Sequence, residues 1–385
     1  MQTLTGRERL LRTFRGEPVD RVPIAPFLWF NNVYEMFGYV PSMDAYFHPS
    51  GFDIAQKFIE LCDYFGFDVM HTATFPWDSA DVDKPGENWD AKVTWEGSGD
   101  ERRKIIDVRT PEGNLTQTQN WRRSSTYLVV WATDEYLIKT PHDFDLLVKY
   151  GPPAECVDVT LTAAARAVIG DKGLVDVPTH GVFNTLALFR KLDDVMQDPI
   201  RDEGWYRAMM EFVLEYLIKQ MRLVVEAGAD IYEIGGNLAT SAVGPRYFKN
   251  YVAEYENRLA KAVHEAGAFN LYHNCGDAAK IMHLYNDLDI DCWGYVTPPP
   301  FADVDLDEAL RVIRPNMALR GNIDQVEFLA KATPPEIKDR VRALLDKVKP
   351  RGNWILSTSD FYFDGCPYEN IMAFADAGRE YGVYP

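Results

Sequence analysis

Pro245 to Ala266, then Gly267, then Asn270-Leu271-Tyr272-His273-Asn274-Cys275-Gly276 is the stretch that decides the fold. Its first part carries apolar residues at helical spacing, with a proline near the start and a glycine just past the end, where helix termini favour them. Its second part is a short apolar run that stops at a glycine. The order recurs. Trp205 to Ala227 sets Met209, Phe212, Val213, Tyr216, Leu217, Met221 and Val224 at helical spacing, Gly228 closes it, and Ile231 to Ile234 follows. Pro334 to Val348, closed by Pro350 and Gly352, leads into Trp354 to Ser357. With Val22 to Phe30, Asp68 to Phe75, Gly173 to Thr179, Cys292 to Val296 and Met317 to Arg320, eight strand-like runs alternate with helices. That pattern predicts an α/β protein built as a (β/α)8 TIM barrel.

In a strand, residues i and i+2 share a face, so the His273 imidazole and the Cys275 sulfur can converge on one ion. Zinc favours that nitrogen and sulfur mixture, and a catalytic zinc takes three protein ligands and keeps one position open. The competing reading is a His and a Cys packed near a strand end.

A barrel of this kind reaches 385 residues as one unit when it carries insertions, which predicts one domain over residues 1–385. The stretch from Val93 to Val130 breaks the strand-helix rhythm: it is polar, alternating and punctuated by Pro111-Glu112-Gly113-Asn114, a turn signal. It reads as an antiparallel β insertion after the second barrel strand, about residues 88–138, with Glu101, Arg102, Arg103 and Lys104 as a solvated face.

A formal charge of -18 opposes nucleic acid and anionic membrane as partners. Aromatic residues at 13% exceed what a core needs and point to an aromatic-lined cavity. Arg7, Glu8, Arg9, Arg12 and Arg15 interrupt the opening segment, so it does not read as a secretory leader, and no window reaches the roughly 20 apolar residues of a membrane span. A cytoplasmic location is expected. The five scattered cysteines are expected to be reduced; Cys62 and Cys156 read as packing residues, and Cys292 at a strand start carries no chemistry.

Active sites of such barrels gather at the C-terminal strand ends. There the sequence places His180, Glu233, His273 with Cys275, Tyr295, Asn322 with Asp324, and Asp360 with Cys366, on strands three to eight in order. Glu233 is open to three roles, as a ligand, a partner fixing the His tautomer or an acid/base group, and also to capping the Gly235-Gly236 turn. His180 is either a substrate contact or a hydrogen-bonded histidine beneath the mouth. Asn322 and Asp324 equally shape a turn. Asp360 directly follows the last strand and Cys366 lies on the loop beyond it; either completes the metal ligands, and Glu233 is a third candidate. Phe27, Trp29, Phe30, Phe75 and Trp77, at the ends of the first two strands, give the pocket an aromatic lining or form plain wall and core.

The opening Arg7-Glu8-Arg9 with Arg15-Gly16-Glu17-Pro18-Val19-Asp20-Arg21-Val22-Pro23 resembles the N-terminal signature of the uroporphyrinogen decarboxylase superfamily. Gly228-Ala229-Asp230, Gly321-Asn322-Ile323-Asp324 and Pro367-Tyr368-Glu369-Asn370-Ile371 resemble its later motifs. Where decarboxylases of that family carry Arg-Gln-Ala-Gly-Arg to grip acidic side chains, this chain reads Leu28-Trp29-Phe30-Asn31-Asn32-Val33-Tyr34, so a tetrapyrrole polycarboxylate loses its charge-paired grip. The chain is more similar to the zinc-dependent, corrinoid-linked methyltransferase branch, whose His-x-Cys motif and later Cys bind zinc. His273 and Cys275 match that motif; the later position falls on or near Asp360, and Cys366 is the only cysteine nearby.

The resemblance implies methyl transfer between a small methylated compound and the cobalt of a separate corrinoid protein. The aromatic residues turn that expectation toward O-demethylation of a methoxylated aromatic. Methylation of a thiol from methylcobalamin, a metal-free decarboxylase and a non-catalytic binding protein of the same fold are the alternatives, and a homodimer is open to the chain.

Overall fold

The computed structural model describes residues 3–74 and 82–384. Its strands are β1 (Val69–His71), β2 (Asp90–Ser98), β3 (Glu101–Thr110), β4 (Gly113–Arg123), β5 (Val129–Glu135), β6 (Gly173–Pro178), β7 (Ile231–Gly235), β8 (Phe269–His273), β9 (Cys292–Gly294), β10 (Ala318–Ile323) and β11 (Trp354–Thr358). Seven of them form one parallel sheet in the order β1-β6-β7-β8-β9-β10-β11. The helices Glu203–Glu226, Ala253–Glu265 and Pro334–Val348 each feed the next strand, as the glycine and proline punctuation predicts.

The expected first strand, Val22 to Phe30, is shorter than its apolar run. Pro23 and Pro26 have no N–H to give a ladder, and a helix, Phe30–Phe37, already begins at the end of the run. Only Pro23 to Ala25 bonds to both neighbouring strand segments, and it fills the eighth place. Ala25 N–H donates to Leu356 O (3.0 Å), Leu356 N–H to Pro23 O (2.9 Å), and on the other side Asp68 N–H to Ile24 O (2.8 Å). The wall therefore closes through a two-sided bridge.

A small apolar cluster inside the ring confirms the closure. Ala25, Met70, Leu174, Ile231, Leu271, Cys292, Ala318 and Ile355 meet there, one from each wall segment, and Leu10 and Phe14 of the helix Gly6–Arg15 plug the floor. Each large side chain fully buried in this way contributes roughly 1.5–3 kcal/mol. The floor helix is also pinned by charge: Arg9 pairs with Asp20 (2.7 Å) and with Asp68, Arg21 with Asp68 (2.7 Å), and Arg7 and Arg166 with Asp230. The signature residues near the N-terminus thus act at the stability face of the barrel, away from its mouth.

The insertion is a four-stranded antiparallel sheet, β2-β3-β4-β5. Pro111 and Glu112 make its two-residue turn, because Thr110 pairs with Gly113 and its hydroxyl donates to Gly113 O (2.8 Å). Alternation along β3 buries Ile106 and Val108 and exposes Asp107. The expected solvated face is corrected at Lys104, which that alternation turns inward to pair with Asp83 at 2.9 Å. No helix among the described residues is long and apolar enough to cross a membrane.

One ionic cluster at the foot of the wall predicts a pH dependence. His264 ends its helix between Asp291 (2.8 Å) and Asp289 (3.2 Å), and these bonds, Asp291 foremost, raise it to about 9 against the cost of burial. A cation whose folded value lies above its unfolded one stabilises fully below about pH 6.5 and loses that contribution as pH rises through about 9. The difference in unfolding free energy between wild type and H264Q, from urea titration, is therefore expected to be about 1 kcal/mol at pH 6 and to vanish near pH 10, the size being limited by solvent around the half-buried ring. A difference independent of pH would refute the assignment.

Candidate active site

The C-terminal strand ends and the insertion enclose a cavity of about 320 Å3. Phe27, Trp29, Pro178, Thr179, His180, Glu233, Gly236, Asn237, His273, Asp360 and Phe361 form its base and sides, and Leu128, Val129, Val130 and Trp131 form its roof. The roof is tied to the barrel: Asp364, on the loop after β11, accepts from Ser125 Oγ (2.6 Å) and Tyr127 N–H (2.7 Å). Asn32 Nδ2 (2.7 Å) and Asn31 Nδ2 (3.2 Å) hold Tyr362 O of the same loop. The asparagines that replace the family's arginine segment thus hold the loop that carries Asp360 and Phe361.

Two acidic pairs stand at the base. Glu233 Oε1 bonds His273 Nδ1, with Glu233 buried to 1% exposure. Cys275 Sγ donates to Asp360 Oδ2 at 3.3 Å and lies 3.2 Å from Asn237 Oδ1, which also accepts the Cys275 N–H. The turn after β7 brings Asn237 there through Gly235 and Gly236, both at positive φ; a Cβ on Gly236 would meet Asn184 Nδ2 at 2.0 Å. Gly236 N–H goes to His273 O (2.7 Å), so Glu233 serves the imidazole and does not cap this turn.

Burial pushes the Cys275 thiol well up and neighbouring Asp360 adds to it; burial likewise raises Asp360. For His273, burial opposes the charge but the Glu233 carboxylate outweighs it, and the value rises. Burial lowers His180 to about 4, so it faces the pocket neutral. Beneath lies a buried layer in which Arg320 Nη1 stands 3.6 Å from Asp176 Oδ2, and the guanidinium lies over the Tyr295 ring (4.9 Å). Tyr295 stacks on Phe27 (5.3 Å) and meets His273 edge-on (5.3 Å).

The structure therefore brings together His180, Glu233, His273, Cys275, Asp360, Phe27 and Trp29, with Tyr295 just below. Cys366 stands elsewhere, in the apolar core among Tyr362 and the helix Tyr368–Tyr381, with its thiol pushed up to about 12 by burial. Phe30 packs in the core on Tyr34, Tyr46 and Phe47. Asp324 caps the turn that follows β10 through Val326 and Glu327 N–H, both at 2.8 Å, and Asn322 is not part of the cavity lining. Phe75 and Trp77 lie outside the described residues. Sequence reasoning missed Thr179, Asn237, Phe361 and the roof. The apolar run Leu128-Val129-Val130-Trp131 at the end of a polar insertion is the signal that marks the roof.

The donor chemistry suits zinc. Thiol, carboxyl and imidazole are its usual ligands, and the 3.3 Å between Cys275 Sγ and Asp360 Oδ2 is close to the roughly 3.6 Å edge of a tetrahedral zinc with sulfur and oxygen ligands. Engagement of His273 Nδ1 by Glu233 leaves Nε2 for an ion, the carboxylate–histidine–metal arrangement. Among the described residues, however, no group of three or more His, Cys, Asp or Glu side chains stands so placed as to hold a metal ion together.

A family model described as uroporphyrinogen decarboxylase (URO-D) matches residues 140–381. The chain belongs to the uroporphyrinogen decarboxylase family. Within that family it is similar to a methylated-thiol–coenzyme M methyltransferase of Methanosarcina mazei, 26% identical over 184 residues, 48% of this chain and 46% of the relative. A methylcobamide:CoM methyltransferase of the same organism is 21% identical over 99% of both chains. The solved structure of a methyltransferase from Methanosarcina mazei superposes with a TM-score of 0.70 at 15% identity, covering 98% of this chain and 99% of that one, which shows a shared fold.

Proposed function

We propose that this chain is a methyltransferase that moves a methyl group between a small methylated compound, a methoxylated aromatic in the preferred reading, and the cobalt of a partner corrinoid protein, using zinc held by His273, Cys275 and Asp360. The observation that carries the reading is the Cys275–Asp360 pair beside the Glu233–His273 pair at the base of an aromatic pocket. The methyltransferase names of the relatives point the same way. Bound zinc would supply a Lewis acid to the substrate's heteroatom.

The chain's own residues do the rest. Glu233 fixes the His273 tautomer, Asn237 and Asp360 hold the Cys275 sulfur, and neutral His180 contacts the substrate oxygen. Phe27, Trp29, Trp131 and Phe361 orient the ring, and the roof excludes water. In O-demethylation the methyl–oxygen bond breaks with its electron pair left on oxygen, Co(I) supplies the pair for the new cobalt–carbon bond, and a proton from solvent completes the phenol. Unpaired thiols and a Co(I) partner both suit a reducing compartment, which supports a cytoplasmic location.

The relatives' names favour a second reading, transfer from methylcobalamin to a thiol, in which the sulfur takes the methyl and releases its proton. One assay separates the readings. The purified protein is expected to hold about one zinc per chain and, with cob(I)alamin and a methoxybenzene, to give methylcobalamin and the phenol. Full demethylation after chelation would remove zinc from the reading, metal-independent decarboxylation with no methyl transfer would support a metal-free decarboxylase, and methylation of a thiol with no demethylation would favour the reverse direction.

A further inference from the structure

We propose that the methyl donor taken by this pocket is uncharged, an aryl methyl ether without carboxylate, sulfonate or phosphate; the inference rests on the methyltransferase reading and names its substrate class. The lining holds no Lys or Arg. Residues 75–81, outside the described residues, read Phe-Pro-Trp-Asp-Ser-Ala-Asp and contain neither. The nearest cation beneath the site, Arg320, is fully buried and committed, with Nε on Ala25 O (3.3 Å), Nη2 on Pro26 O (3.2 Å) and Nη1 toward Asp176. Among the described lining residues there is no Lys or Arg to pair with an anion.

Two acidic side chains, Glu233 and Asp360, already stand in the wall that an anion would have to face. An anionic donor would enter a partly open, mostly apolar pocket with no Lys or Arg in its described lining to pair its charge, which is costly. Nor is a cation served: Glu233 bonds His273, Asp360 accepts from Cys275, the Asn237 oxygen accepts from Cys275, and most of the rest of the lining is rings, Pro178 and aliphatic side chains. A flat neutral ring between Trp29, Phe27 and Phe361 under Val129 and Val130 is what these surfaces cover best.

The roof strand offers a gain-of-function test. Val130 is half-buried and lines the cavity from β5, so V130K places an ammonium at the rim without disturbing the base. Calorimetric titration of the full chain, zinc-loaded and without corrinoid, compares methoxybenzene, 3-methoxybenzoate, 2-(methylthio)ethanesulfonate and tetramethylammonium. The wild type is expected to bind methoxybenzene at least about 30-fold more tightly than either anion, and V130K to narrow or reverse that ratio. Equal or tighter binding of an anion or of tetramethylammonium by the wild type, or no binding of methoxybenzene, overturns the proposal. Because the titration involves no methyl transfer, a pocket that prefers the neutral ether but never demethylates it would count against the methyltransferase reading alone. Demethylation restricted to methoxybenzoates would count against neutrality alone.

Discussion

A chain carrying H273A or C275A is expected to purify folded, with zinc falling from about one per chain to near zero and turnover falling on the order of 10³-fold. The fold should survive because both side chains sit at the mouth, whereas packing of the ring rests on the floor cluster from Ala25 round to Ile355. E233Q tests the layer behind the ligands: it keeps a hydrogen-bonding group near His273 Nδ1 but removes the charge, and weakening of metal affinity by about 10–100-fold is expected. D360N should lose zinc much as C275A does, and C366S, altering a thiol buried in the core, should keep it. Zinc content measured on each variant decides the matter. Retention of metal in H273A or C275A would sink the site itself, and retention in D360N with loss in C366S would return the third ligand to the loop cysteine.

Those variants separate what local sequence encodes from what it cannot. Strands β7, β8 and β11 are legible because a helical segment, a glycine and a short apolar run follow in fixed order. The first wall segment is misread because apolar character says nothing of donors: Pro23 and Pro26 cannot extend a ladder, and Phe30 is already helical. Cys366 is attractive by residue type alone. Its position depends on the turn through Asp364 and Gly365, which sends it into the core while Asp360 stays at the mouth. The Cys275–Asp360 pair spans 85 residues, and the roof depends on Asp364 gripping Ser125 from 239 residues away. Such contacts are set by ring closure, and no periodicity records them.

Asp68→Ala is expected to cost about 3–5 kcal/mol, a large share of the roughly 5–15 kcal/mol that holds a domain folded. The Asp68 side chain is 3% exposed and takes Arg9, Arg21 Nη1 (2.7 Å) and the Ile24 N–H (2.8 Å), while its own N–H donates to Ile24 O (2.8 Å). One residue therefore satisfies both backbone groups of Ile24 on the side where the proline-broken segment has no ladder. Alanine would keep the bond from its N–H but leave the Ile24 donor and two guanidinium groups without their acceptor, and nearby Asp20 can compensate only Arg9. Asp68→Asn, which still accepts from Ile24, should fall between. The urea midpoint is the readout, and zinc per folded chain should stay at the wild-type level, since the floor lies at the opposite end of the barrel from Cys275 and Asp360. A loss under about 1 kcal/mol for D68A would mean that the wall closes through the apolar floor alone.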